Sequence, residues 1–140
     1  STTGYTDEMM RIVAPAAAGK GYCPDCWFSP NSVGNFGRPY PYMIFENLKR
    51  LEVSSVTAAI KVGDTAADIR EGLAAGMRSL GVVEGSSVMG LTEEEYAALS
   101  EEEKELHCRR AEEKFLAAGA TAVLRNLSEL PAYLEKLEAE

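Results

Sequence analysis

The stretch from Ala58 to Val83, A-A-I-K-V-G-D-T-A-A-D-I-R-E-G-L-A-A-G-M-R-S-L-G-V-V, constrains the fold more than any other part of the chain. Ala58 to Val62 is apolar except for Lys61 and has strand length. Gly63-Asp64-Thr65 reads as a tight turn. Ala66 to Ala75 places Ile69, Leu73 and Ala74 at helical spacing, and Gly76 stands where a helix stop needs a positive φ. Leu80 to Val83 is a second apolar run. Strand, helix and strand in that order predict a β-α-β unit, hence a parallel sheet with right-handed crossovers.

That unit fixes where chemistry can sit. Asp64 falls at the carboxyl end of the first strand, where open α/β sheets bind ligands. Asp68 follows one helical turn later on the same side. Two carboxylates above a helix N-terminus suit Mg²⁺, which takes one or two carboxylates together with waters and phosphate oxygens. The same residues also suit a turn aspartate and a solvated helix charge.

At 140 residues the chain is long enough for one domain with a real core. A net charge of −8 argues against nucleic acid or an anionic membrane as a partner. No apolar run reaches membrane-spanning length, and three cysteines fit a reduced, cytoplasmic setting. The first residue is Ser1 and no apolar strand precedes Thr2, so the start reads as a cut.

In chain order, Ser1-Thr2-Thr3-Gly4-Tyr5-Thr6 offers hydroxyls beside a glycine, which suits a phosphate site. Thr6 before Asp7 and Glu8 also suits a helix N-cap, and Thr6 can cap while Thr2 and Thr3 face a ligand. The helix that follows runs to about Ala18, with Met9, Met10, Ile12 and Val13 as its expected buried face and Pro15 as an expected kink. Cys23-Pro24-Asp25-Cys26 has the spacing of a metal or redox pair. The other candidate ligands, His107 and Cys108, are adjacent, and an extended run follows Cys26, so two half-buried thiols near a strand start are expected. Ser29 to Gly37 is rich in turn formers. Arg38 precedes Pro39 and the apolar run from Met43, at a loop-to-helix junction where a guanidinium can clamp an anion or simply face solvent. Met43, Ile44, Leu48 and Leu51 are expected to pack on the sheet. Beyond a glycine- and serine-containing loop, Glu84 to Leu91, capping boxes at Thr92 and Ser100 open two helices, the second stopped by Gly119. His107 lies on this acidic second helix and reads as a surface residue. Ala120 to Leu124 is a last strand, and Ser128 starts a terminal helix with Leu130, Tyr133, Leu134 and Leu137 inward.

Three separated pieces, the Ser/Thr-rich segment Ser1–Gly4, Arg38 before a helix, and G-D-x-x-x-D at Asp64 and Asp68, resemble in this order the second to fourth motifs of the haloacid dehalogenase (HAD) superfamily. The wording S-T-T-G-Y-T-x-E-M-M, G-R-P-Y-P-x-M, I-K-V-G-D-T, G-x-x-A-G-M and G-S-S-x-x-G-L-T-E-E-E is similar to the phosphonoacetaldehyde hydrolase (phosphonatase) family, over nearly the whole chain. The resemblance implies an α/β fold: a three-layer, Rossmann-like HAD core with a parallel sheet, lacking its first central strand and its helical cap. Residues 1–140 would be the C-terminal part of that core. It implies Mg²⁺-dependent cleavage of the C–P bond of phosphonoacetaldehyde. In this chain Thr3 and Gly4 would bind the phosphoryl group, Arg38 would neutralise its charge, Asp64 would ligate Mg²⁺, and Asp68 would support Arg38 and the metal. Tyr5, Ser86 and Ser87 would border the same mouth.

The family also uses a nucleophilic aspartate from a D-x-x-G-T segment and a cap lysine that forms a Schiff base. Neither segment occurs in these 140 residues, and Lys61, inside the I-K-V-G-D string, is not that lysine. The expectation is a phosphate- and Mg²⁺-binding half that is inactive alone, with a small phosphonate or phosphate as ligand. Unpaired sheet edges predict a homodimer or pairing with the missing N-terminal half. Two alternatives stay open: another HAD phosphatase of phosphoglycolate phosphatase or phosphoglucomutase type, and a non-catalytic flavodoxin-like binding module.

Overall fold

A computed structural model describes residues 1–139. The helices are α1 (Asp7–Gly19), α2 (Tyr42–Arg50), α3 (Ala66–Ala74), α4 (Glu93–Ala97), α5 (Glu101–Ala117) and α6 (Leu130–Glu138). The strands are β1 (Ile60–Gly63), β2 (Arg78–Val82) and β3 (Ala122–Leu124), with short 3₁₀ turns at Pro30–Val33, Val56–Ala58 and Leu127–Glu129.

The β-α-β unit forms as the sequence dictates. β1 and β2 are parallel, with Ile60 opposite Arg78 and Gly63 opposite Gly81. β3 joins in parallel on the far side, with Leu80 opposite Ala122, so the order is β1-β2-β3 and β1 is an edge. Gly76 stops α3 at φ 78°. The first strand starts later than expected. Ser55 caps a 3₁₀ turn over Val56–Ala58 by accepting the Thr57 N–H at 3.2 Å, which delays the extended run to Ile60.

Two helices seal one face of the sheet. Ile69 of α3, Val83, and Cys108, Ala111 and Phe115 of α5 form one buried cluster. Close approach is possible because the strand presents glycine. A Cβ at Gly63 would overlap the Asp68 side chain. Gly72 of α3 likewise sits against Ser79 and Lys61 with no room for a methyl. A second cluster joins Ile44 of α2 to Ala75 and Met77. Both capping boxes form, at Thr92 with Glu95 and at Ser100 with Glu103, and Gly119 follows the end of α5 at φ 100°.

Several expectations about packing are corrected. On α1 only Met10 is buried; Met9 and Ile12 (76% exposed) face outward, and Val13 is 38% exposed at the edge of a small apolar cavity. Pro15 does lie inside α1, where the sequence placed it. Leu51 and Leu134 are exposed, and Leu130, Tyr133 and Leu137 are only half-buried, since α6 lies at the rim of the small sheet. Cys23 is exposed while Cys26 is half-buried, and His107 is half-buried on α5 rather than on the open surface. The Ser/Thr-rich segment is not a strand of the sheet: Thr2 pairs with Phe28 in an isolated parallel bridge.

Candidate active site

A groove of about 480 Å³ runs along the free edge of β1. Ala59 to Gly63 and Asp64 form one wall, Ser1, Thr2 and Tyr22 lie across it, and Arg38, Asp68 and Asn47 also line it. Arg38 is thus brought to the same opening as Asp64 and Asp68 from a separate part of the chain, and Ser1 and Thr2 join them from a third.

Local structure sets each position. Thr65 is the N-cap of α3: its hydroxyl accepts the Asp68 N–H at 3.1 Å, and its own N–H and O–H donate to Asp68 Oδ2 at 3.2 and 2.6 Å. This capping box fixes the Asp68 carboxylate at the helix start and satisfies two orphan donors. Asp64, just past β1, accepts both the N–H (3.0 Å) and the O–H (2.8 Å) of Ser87 on its Oδ2. Arg38 enters from the loop before α2, through a cis peptide to Pro39.

These groups meet a buried charge cluster. Lys61 Nζ lies 2.7 Å from Asp68 Oδ1 and 3.3 Å from Glu71 Oε2. Arg38 Nη2 lies 3.1 Å from Asp68 Oδ1, and its Nε lies 3.2 Å from Glu71 Oε2. The second contact is an ion pair without hydrogen-bond geometry, since Arg38 Nε has no hydrogen-bond partner among the described residues. Thr2 ties the cluster together. Its hydroxyl donates to Glu71 Oε2 at 2.8 Å and accepts from Lys61 Nζ at 3.0 Å and Arg38 Nη2 at 3.2 Å. Arg38 Nη2 also donates to the Thr2 carbonyl at 2.9 Å. Two cations facing two carboxylates leave the cluster neutral, the condition under which buried charges are tolerated. Burial opposes ionisation of Asp68, but Lys61, Thr65 and Arg38 outweigh it and hold its carboxyl below the usual range.

Of the residues singled out in the sequence, Arg38, Asp64 and Asp68 share the groove, whereas Thr3 and Gly4 do not line it. The Thr3 hydroxyl accepts the Tyr5 N–H at 3.1 Å, and Thr3 and Tyr5 line a neighbouring apolar cavity of about 270 Å³ with Met10 and Val13. Gly4 is exposed. Ser87 reaches Asp64, while Ser86 is buried in the loop beside it. Sequence reasoning missed Thr2 as the hub, and it missed Lys61 and Glu71. The signals were present: a lone lysine in an apolar strand needs a buried counterion, and Glu71 lies three residues after Asp68, on the same helix face.

Among the described residues no three His, Cys, Asp or Glu side chains gather into a metal cage. The donor set suits an ion that takes few protein ligands. Asp64 stands at the groove with one oxygen held by Ser87 and the other not engaged in a protein hydrogen bond among the described residues. A single carboxylate completed by waters and phosphate oxygens is an arrangement Mg²⁺ accepts.

The comparisons agree with this architecture. Residues 35–130 match the family model described as HAD-hydrolase-like. The chain is 45% identical over 140 residues to a phosphonoacetaldehyde hydrolase of Lysinibacillus sphaericus, covering all of this chain and 52% of that protein. It is 50% identical over 137 residues to one from Parabacteroides distasonis, covering 98% of this chain and 52% of that protein. The chain therefore spans about half the length of the curated relatives it matches. The crystal structure of a phosphonoacetaldehyde hydrolase-like protein from Oleispira antarctica superposes with a TM-score of 0.91 at 36% identity, over 96% of this chain and 49% of that one. A haloacid dehalogenase-like protein of unknown function from Agrobacterium tumefaciens shares the fold, with a TM-score of 0.71 at 20% identity over 99% of this chain and 54% of that one. With its motif residues gathered at the carboxyl end of β1 and the family model matched from before Arg38 to the start of α6, this chain belongs to the HAD-like hydrolases.

Proposed function

We propose that this chain is the phosphate- and Mg²⁺-binding half of a phosphonoacetaldehyde hydrolase, an enzyme that cleaves the C–P bond of phosphonoacetaldehyde to acetaldehyde and phosphate. The observation that carries this reading is the convergence of Thr2, Arg38, Asp64 and Asp68 on one groove, in a chain 41–50% identical to enzymes of that name. The identity favours this substrate over that of another HAD phosphatase.

In this reading Arg38 binds the phosphoryl group. Its protein contacts use Nε and Nη2, so the guanidinium is held rigidly while Nη1 is left to an anion. Asp68 and Glu71 orient it from behind and keep it from collapsing into solvent. Thr2, rather than Thr3, stands beside Arg38 at the groove, its hydroxyl donating to Glu71 and its carbonyl holding the guanidinium. Asp64 holds Mg²⁺, which when bound offsets the negative charge of the phosphoryl oxygens. The 140 residues contain no D-x-x-G-T segment, and the lysine that lines the groove, Lys61, is held by Asp68 and Glu71, so in this reading the chain by itself does not turn over substrate. The free edge of β1 and the groove beside it accept a further parallel strand, from the part of the enzyme that carries the nucleophile or from a second copy of this chain. In this reading the working site is cytoplasmic, in line with three free thiols.

Calorimetry with inorganic phosphate and Mg²⁺ tests the assignment. The expected result is binding that Arg38→Ala weakens at least about tenfold, the loss of hydrogen bonds to a charged group, and that Asp64→Asn makes independent of Mg²⁺. Phosphate binding indifferent to both substitutions defeats it. Acetaldehyde release above a buffer control from the isolated chain defeats the claim of inactivity.

A further inference from the structure

A second polar cluster sits on the same rim of the sheet, beyond the end of β2, and the mechanism above makes no use of it. Glu84 is its centre. Its Oε1 accepts from Arg125 Nε at 2.7 Å and from the Tyr96 hydroxyl at 2.9 Å, and its Oε2 accepts from Asn126 Nδ2 at 3.0 Å. Arg125 is itself fixed. Its Nη1 pairs with Glu105 at 2.9 Å, its Nη2 donates to the Tyr96 oxygen at 3.2 Å, and its backbone N–H donates to Glu129 at 2.7 Å. The cluster draws on α4, α5 and the segment after β3. The Arg125 hydrogen bond, with those of Asn126 and Tyr96, holds the Glu84 carboxyl below its ordinary range despite partial burial. Burial, Cys108 and Glu84 push the Tyr96 hydroxyl up to about 12, so it donates as a neutral phenol.

Glu84 opens a short rigid path to the candidate site. Its N–H donates to the Arg125 carbonyl at 2.9 Å, extending the β2–β3 pairing past the strand ends. Gly85 then turns in the left-handed region at φ 73°. Ser86 is buried; its N–H donates to the Val83 carbonyl at 3.1 Å, and its hydroxyl accepts the Met89 N–H at 3.1 Å. The next residue is Ser87, whose N–H and O–H both end on Asp64 Oδ2. Three of the four residues, Glu84, Ser86 and Ser87, are pinned by hydrogen bonds, Gly85 makes the turn between them, and the last pin is the carboxylate itself.

We propose that Glu84, Tyr96, Arg125 and Asn126 form a positioning device for Asp64, acting through the loop 84–87, with Ser87 as the group that selects which Asp64 oxygen is left for a metal. This rests on the reading of Asp64 as the Mg²⁺ ligand. Ligating carboxylates depend on such outer partners, and losing one weakens metal affinity by about 10–100-fold. The charge that fixes the loop arrives from α5 and the post-β3 segment, neither of which lines the groove.

The test combines Mg²⁺ titration calorimetry with amide hydrogen exchange on the whole chain, for Ser87→Ala, Ser87→Thr, Glu84→Gln, Tyr96→Phe and Asp64→Asn. Expected are abolished Mg²⁺ binding in Asp64→Asn and about tenfold weaker binding in Ser87→Ala. Ser87→Thr keeps the hydroxyl and rescues the affinity. Glu84→Gln and Tyr96→Phe weaken binding in the same direction and speed exchange of the amides of residues 85–90. Tyr96→Phe removes one hydroxyl only, and so decides the matter if Glu84→Gln fails to fold. Wild-type affinity in Ser87→Ala, Glu84→Gln and Tyr96→Phe, with binding lost in Asp64→Asn, overturns the proposal. If wild type and Asp64→Asn treat Mg²⁺ alike, the metal assignment of Asp64 has failed instead. Loop exchange then decides alone: faster exchange in Tyr96→Phe upholds the anchor, and unchanged exchange overturns it.

Discussion

Replacing Lys61 with methionine tests the charge cluster most directly. The side chain is similar in length and apolar, so the substitution removes charge while leaving packing nearly intact. Lys61 Nζ lies 2.7 Å from Asp68 and 3.3 Å from Glu71, whose side chains are 3% and 0% exposed. Without it, two buried carboxylates share Arg38 as their one remaining cation. Breaking a buried pair by removing one partner costs about 3–5 kcal/mol. Because Arg38 still faces both carboxylates, the expected loss lies at the lower end, about 3 kcal/mol, or a fall in melting temperature on the order of 10 °C for a chain of this size. Urea unfolding followed by Trp27, the one tryptophan, reads the loss. The pH dependence separates charge from packing. In wild type, Asp68 has a lowered folded value, so its stabilising contribution is present above the ordinary carboxyl value of 3.8 and is lost as pH falls toward the folded value. In Lys61→Met, Asp68 keeps only Arg38 and Thr65 against its burial and takes up a proton at a higher pH than in wild type. The difference between the two proteins therefore shrinks as pH falls through the ordinary carboxyl range toward the lowered folded value of wild-type Asp68. A loss under about 1 kcal/mol at neutral pH, or a difference that does not change with pH, refutes the cluster as a coupled ionic unit.

Other substitutions probe separate links. Gly63→Ala drives a methyl into the Asp68 side chain; about 1–3 kcal/mol of stability is lost, together with phosphate binding, as the start of α3 is pushed off the strand. Thr65→Ala removes the cap of α3 and costs about 1 kcal/mol by thermal unfolding, whereas Thr65→Ser keeps the hydroxyl and the stability. Arg38→Lys retains one charge but cannot reach the Thr2 carbonyl and Asp68 together, so phosphate affinity measured by calorimetry drops even though net charge is unchanged. Sizing chromatography of the chain alone is expected to show a dimer or larger species, given the free β1 edge and the exposed Met9 and Ile12; a clean monomer counts against strand or face pairing.

The fold was legible where local signals agreed with one another. Apolar strand, Asp64 turn, helix and Gly76 stop all point to one β-α-β unit, and capping residues at Thr6, Thr92 and Ser100 mark helix starts because they satisfy orphan N–H groups within the same few residues. Asp64 and Asp68 were readable as a pair because a strand end and a helical spacing are local properties, whereas Arg38 joined them only through the resemblance of the motif order. What escaped the sequence depends on through-space partners. A helical face at Met9, Ile12 and Val13 has the right period, yet whether it is buried depends on what packs against it. Thr2 and Thr3 are chemically equal in sequence, and only the bridge to Phe28 turns one toward Arg38 and the other toward Tyr5. Lys61, Glu71 and Ser87 acquire meaning only when strand, helix and loop are brought together, since an ion pair or a carboxylate contact is a matter of distance in space and not along the chain.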